Sequence, residues 1–97
     1  MANQNHFALV KEGIDSWNQW REENPETQPD LCGADLQDAD LQGFNLKNAN
    51  LKEATLFGVS FKEANLQNAD LQQANLYEAN LTGTDLRGAN LLKADGL

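Results

Sequence analysis

The chain has 97 residues, with 7 Lys or Arg against 15 Asp or Glu and a formal net charge of −8. That length supports one small domain with a modest core. The acidic balance argues against direct binding of nucleic acid or an acidic membrane surface, and the single cysteine, Cys32, excludes an intrachain disulfide.

Met1 to His6 has neither a basic stretch nor an apolar run of the kind a signal peptide or membrane span needs, so a cytoplasmic protein is expected. Residues 5–23 then predict a single amphipathic helix. Phe7, Val10, Ile14, Trp17 and Trp20 recur at steps of three and four and form one apolar face. Asn3 or Asn5 suits the N-cap. Gly13 is expected to weaken the helix modestly. Asn24-Pro25 ends it, because a residue before proline avoids the α region. Residues 1–24 therefore read as a helical unit, and residues 25–33 as a linker with a first partial repeat.

From Leu31 onward the pattern changes. Leucine or phenylalanine falls on every fifth residue: Leu31, Leu36, Leu41, Leu46, Leu51, Leu56, Phe61, Leu66, Leu71, Leu76, Leu81, Leu86 and Leu91. Alanine stands two residues before most of them, and Asp, Asn, Ser or Thr always stands between. Five helical steps rotate the apolar position by roughly 140°, so no helix face results. Five strand steps move it to the opposite side. The period is satisfied by a short extended step followed by a corner, repeated so that each leucine returns to the interior. The chain then winds into a β-solenoid over residues 34–97, held by contacts between neighbouring coils.

The motif Ala-(Asp/Asn)-Leu-x-x, unbroken from Ala34 to Lys93, resembles that of the pentapeptide-repeat proteins. The resemblance implies a right-handed quadrilateral β-helix with four repeats per coil, here about three coils. Residues twenty apart would then stack, as in Leu36/Leu56/Leu76 and Leu41/Phe61/Leu81. Trp17-Asn18-Gln19-Trp20-Arg21 is similar to a segment that precedes the repeats in cyanobacterial-looking members, which implies a bacterial, cyanobacterial source. An uncovered first coil would present apolar side chains and unpaired strand edges. Phe7, Val10, Ile14, Trp17 and Trp20 are expected to cover it as an α-helical cap, with Phe44 of the first coil turned toward them. At the other end leucine gives way to Gly96. Leu91, Leu92 and Leu97 are expected to remain open there and to support a homodimer through the C-terminal coil.

Nothing in the sequence points to catalysis. His6 reads as a solvated residue at a helix start, and neither it nor Cys32 has a partner at the spacing of nucleophilic or zinc chemistry. Gly33, Gly43, Gly58, Gly83 and Gly88 occupy corner positions rather than a phosphate-binding loop. The outward columns, such as Asp30/Asn50/Asp70/Asn90, mix acid with amide, and their side chains are expected to bond nearby backbone instead of a metal. No cofactor is expected. What remains is the outer surface. Phe57 and Tyr77, twenty apart, are expected to stack at exposed positions with Asp38 and Glu78 beside them. Stabilisation of adjacent coils is the simpler reading of that pair, and a protein contact the sharper one. The expected role is a non-enzymatic structural or protein-interaction module. The resemblance offers one alternative, an acidic mimic of duplex DNA that binds a type II topoisomerase such as gyrase.

Overall fold

The computed structural model describes residues 1–97. Two helices come first, α1 over Gln4–Glu12 and α2 over Ile14–Glu23. The Asn3 side chain caps α1, accepting from the N–H groups of Asn5 and His6 at 2.9 and 3.2 Å. The single helix expected over residues 5–23 is broken at Gly13, whose φ of 105° and ψ of 177° lie outside helical space. A side chain would oppose that φ, and glycine carries none. A straight helix across both segments would run roughly 28 Å, about the width of the molecule at 32 × 27 × 24 Å. The break folds the second segment back so that both lie against the repeats. Asn24 closes α2 through its N–H to the Trp20 carbonyl, just before Pro25.

From Asp30 the backbone follows one rule. Ten parallel bridges each join residues twenty apart, from Asp30↔Asn50 to Asn75↔Asp95. In each pentad an alanine-position N–H bonds the carbonyl of the preceding leucine, as in Ala39 to Leu36 at 3.0 Å. The fifth residue of all thirteen pentads from Gly33 to Lys93 has φ between 59° and 75°. That bond with a left-handed third residue is the type II turn. Four such turns separate stacked residues, so each coil has four sides.

Three backbone bonds per pentad tie one coil to the next: Leu36 N–H to Thr55, Thr55 N–H to Ala34, and Asp38 N–H to Phe57, at 2.8–2.9 Å. The residue between alanine and leucine also has a local duty. In twelve pentads its side-chain oxygen accepts the N–H two residues on, as Asp35 does from Gln37 and Asn75 from Tyr77. Asp, Asn and Ser recur there because they can make this turn-stabilising bond.

The interior is filled by leucine columns. Leu31 through Leu76, with Phe44, Val59, Phe61 and the inner alanines, are buried in one cluster that also takes in Val10 and Trp17. Leu81, Leu86 and Leu91 are only partly buried, unlike the earlier members of their columns. Thr84 replaces an inner alanine and satisfies its hydroxyl by donating to the Phe61 carbonyl at 2.7 Å.

Candidate functional site

Two surfaces carry side chains whose chemistry the turns do not use. The first is the aromatic-acidic face. The coil-to-coil bonds Asp38 N–H to Phe57 (2.8 Å) and Gly58 N–H to Tyr77 (2.9 Å) fix Phe57 and Tyr77 as successive members of one column. Tyr77 is 54% exposed, while Phe57 is half-buried rather than exposed as the sequence suggests. The ring contacts of the molecule lie elsewhere, so the expected Phe57–Tyr77 stack is a backbone register and not a ring stack. Asp38 and Glu78 flank the pair in left-handed conformations, both with φ of 61°, and Gly58 lies between them. A Cβ at position 58 would collide with Asp38 Oδ1, so glycine there makes room for that carboxylate. The face thus offers an exposed phenol and two exposed carboxylates, a combination suited to a cationic or amphipathic side chain.

The second surface is the edge of the first coil, where α1 and α2 dock. Trp17 is fully buried, with its ring 6.0 Å from Phe44 and 5.2 Å from Trp20. Its indole N–H donates to the Asn45 carbonyl at 2.7 Å. Asn18 accepts the Asn45 N–H at 2.8 Å and donates to the Gly43 carbonyl at 3.1 Å. Arg21 is buried among backbone, donating to the carbonyls of Thr27 (2.7 Å) and Lys47 (2.8 Å), and burial holds its pKa below the ordinary arginine value. Val10 joins the core, whereas Phe7 and Trp20 are half-buried. Ile14 does not enter the core as expected. It is 39% exposed, on the rim, with its Cδ1 2.8 Å from where a Cβ on Gly43 would stand.

His6 is not the solvated residue that its place in the sequence suggests. Its Nδ1 accepts the Asp30 N–H at 2.9 Å, and its ring lies 4.8 Å from that of Trp20. Burial lowers its pKa, the nearby Asp30 opposes that shift, and the charge of Arg21 adds to it. His6, Asn18 and Arg21 are the functional side chains that helical periodicity misses. The signal present was the polar interleaving of Trp17-Asn18-Gln19-Trp20-Arg21.

Elsewhere Arg87 forms a surface ion pair with Asp85 at 2.7 Å. Hydrogen bonding from the Arg87 side chain lowers the Asp85 pKa, and the same bond raises that of Arg87. No three His, Cys, Asp or Glu side chains converge as metal ligands, and no helix is long and apolar enough to cross a membrane.

The family model for pentapeptide repeats matches eight copies across residues 34–73 and 54–91. Among solved structures, the pentapeptide-repeat protein Rfr23 from the cyanobacterium Cyanothece 51142 is 46% identical over 58% of this chain and 35% of its own, with a TM-score of 0.28. The protein alr5209 from Nostoc PCC 7120 is 31% identical over 74% of this chain and 72% of its own, with a TM-score of 0.28. HetL from Nostoc sp. strain PCC 7120, described as involved in the regulation of heterocyst differentiation, is 33% identical over 65% of this chain and 35% of its own, with a TM-score of 0.22. The chain thus spans about a third of the length of Rfr23 and of HetL. No curated protein matches it.

Proposed function

The chain belongs to the pentapeptide-repeat family, and we propose that it is a non-enzymatic protein-interaction module built as a right-handed quadrilateral β-helix of about three coils. In this reading α1 and α2 are the cap of the first coil. Phe7, Val10, Trp17 and Trp20 cover apolar surface, and Ile14 closes the rim. The aromatic-acidic face of Asp38, Phe57, Tyr77 and Glu78 is the contact for a partner protein. The observation that carries the proposal is Tyr77, an aromatic side chain 54% exposed beside the exposed Glu78 and held in register by the bond from Gly58 N–H to its carbonyl. Large aromatics on a preorganised scaffold anchor protein contacts at low entropic cost. The partly buried Leu81, Leu86 and Leu91, with exposed Leu92 and Leu97, favour a homodimer through the C-terminal coil.

The duplex-mimic alternative has less support. The longest dimension is 32 Å, below the ~34 Å of one B-DNA turn. The acidic surface is also interrupted by Lys47, Lys52, Lys62, Arg87 and Lys93.

Affinity capture with the intact chain and with Tyr77→Ser tests the face. Tyr77→Ser should leave the urea midpoint nearly unchanged, as exposed substitutions do, and should lose the captured partner. Identical capture by both proteins overturns the proposed face. Light scattering tests the dimer, and a monomer mass at high micromolar concentration overturns it.

A further inference from the structure

We propose that the first coil binds a basic peptide segment by backbone pairing along two sides and the corner between them, in a cleft that α1 and α2 leave open between Gly33 and Asp40. The upper edge of this coil carries four equivalent donor–acceptor pairs, one per side, on the backbone of Asp30, Asp35, Asp40 and Asn45. In lower coils each such pair is taken up by the ladder. The helical segment reproduces that pairing on two sides. Asp30 donates to His6 Nδ1 at 2.9 Å and accepts from Asn3 N–H at 3.0 Å. Asn45 donates to Asn18 at 2.8 Å and accepts from the Trp17 indole at 2.7 Å. On the other two sides, neither the N–H nor the carbonyl of Asp35 or Asp40 has a partner within the chain, and both residues are exposed.

Those two sides border a cleft of about 380 Å³ lined by Val10, Lys11, Leu36, Ala39, Asp35 and Asp40. Its volume lies within the range of ligand clefts, ~300–1,000 Å³. A second depression of about 160 Å³ shares Asp35 and continues the cleft to Gly33 and Ala34. An unpaired backbone edge beside a cleft floored in part by Val10, Leu36 and Ala39 is the kind of surface that strand addition uses.

The ladder sets direction and register, because every bridge is parallel. Between coils, Leu31 N–H bonds the Asn50 carbonyl, and Asn50 N–H bonds the Pro29 carbonyl. By the same rule the incoming segment runs alongside residues 34–41 in the same direction. The residue before the one facing Asp35 accepts the Asp35 N–H, and the residue after it donates to the Asp35 carbonyl. The pattern repeats five residues on at Asp40. A second copy cannot stack a whole coil here, because the helices occupy the Asp30 and Asn45 sides. Charge favours a cationic segment. The Asp35 and Asp40 carboxylates stand on the rim, while the one lysine of the cleft, Lys11, rests its ammonium 4.6 Å from the centre of the Phe7 ring.

The probe is acetyl-Ala-Lys-Leu-Gln-Gly-Ala-Lys-Leu-amide, fluorescein-labelled, added to the full chain. Its alanine carbonyls and leucine N–H groups match the free pairs, and its lysines face the two aspartates. Saturable polarisation is expected, with the Asp35 and Asp40 amides shifting in NMR spectra and gaining exchange protection. Replacing both lysines by glutamate should weaken binding at least about tenfold. Methylating both leucine nitrogens should abolish it, because those N–H groups serve the two carbonyls. Asp35→Asn with Asp40→Asn keeps the turn-stabilising oxygens and should weaken binding roughly threefold to tenfold. The proposal is overturned if no binding occurs, if the methylated peptide binds equally, or if the shifts fall on the last coil or on a self-associated chain. Equal affinity of the glutamate peptide overturns the basic character of the ligand.

Discussion

Trp17 is the side chain whose removal tests the docking of the helices most directly. A buried tryptophan removes ~150–250 Å² from water, which at ~25 cal/mol per Å² corresponds to ~4–6 kcal/mol as an upper figure. Truncation of Trp17, which is fully buried, to alanine should therefore cost ~3–5 kcal/mol. A domain of this size has total stability of about 5–15 kcal/mol, so the loss is a large part of the whole. Trp17→Phe separates the ring from its N–H. The phenyl ring keeps contact with Phe44 and Trp20 but leaves the Asn45 carbonyl, now 2.7 Å from the indole nitrogen, without a donor. An unsatisfied buried acceptor costs ~1–3 kcal/mol. Urea melts followed by circular dichroism, with Trp20 fluorescence as a second probe, should rank intact chain, Phe variant and Ala variant in that order. The Ala variant should also show a smaller denaturant slope, since undocked helices expose surface before unfolding. An unchanged midpoint in Trp17→Ala would mean that the helices add nothing to the solenoid, and the reasoning would fail.

Three further outcomes follow from the same geometry. Leu56→Ala, at a fully buried site in the middle of a column, should cost ~2–5 kcal/mol, and Leu86→Ala, only partly buried, distinctly less; equal losses in urea melts would contradict coil-by-coil burial. Gly58→Ala should destabilise by ~1–2 kcal/mol, because φ is 69° there and the new methyl meets Asp38 Oδ1. By contrast Glu53→Gly, at φ 61°, should be neutral to stabilising by up to ~1 kcal/mol, since relief of the left-handed strain offsets the added chain entropy. His6 has a folded pKa below its ordinary 6.5, from burial first. Its contribution is therefore present above pH 6.5 and lost as pH falls through the lower folded value. Trp20 emission, with the His6 ring 4.8 Å away, should change in that acidic window, and His6→Gln should remove the transition.

The five-residue period made the corners, the filled columns and the twenty-residue stacking legible, once four repeats per coil were taken from the family. It did not make the left-handed turn residues legible. Glu53, Glu63, Gln73, Glu78 and Lys93 adopt φ near 60° although only glycine, and to a lesser degree Asn and Asp, favours it. Turn closure imposes their conformation, and for Glu53, Glu63 and Gln73 an N–H bond to the next coil adds to it. Nor was the break at Gly13 legible. A lone glycine costs a helix only ~1 kcal/mol, and what selects the break is docking of both segments on one small coil. His6, Asn18 and Arg21 look like solvated polar positions on a helical projection. Their partners are the carbonyls and amides of an edge that exists only after the coil has closed. Phe57 is more covered than its outward position suggests for a related reason, because place in a pentad does not fix how far a neighbouring coil covers the ring.

The same geometry limits where this molecule can bind anything. Leucine, phenylalanine and alanine side chains fill the interior, so no ligand enters the solenoid. The Asp, Asn and Ser oxygens of twelve pentads are held by the turns they stabilise. The coil-to-coil ladder uses the backbone wherever a neighbouring coil exists. Free chemistry is then confined to the outward fourth and fifth residues of each pentad and to coil edges without a neighbour. Tyr77 and Glu78 belong to the first class, and the unpaired groups of Asp35 and Asp40 to the second. The two differ in what a partner must supply. The face rewards a side chain that fits Tyr77, whereas the edge rewards backbone that follows the corner from Asp35 to Asp40 and asks of its side chains mainly positive charge. A partner that loses affinity on Tyr77→Ser but tolerates backbone methylation belongs to the face, and one with the opposite response belongs to the edge.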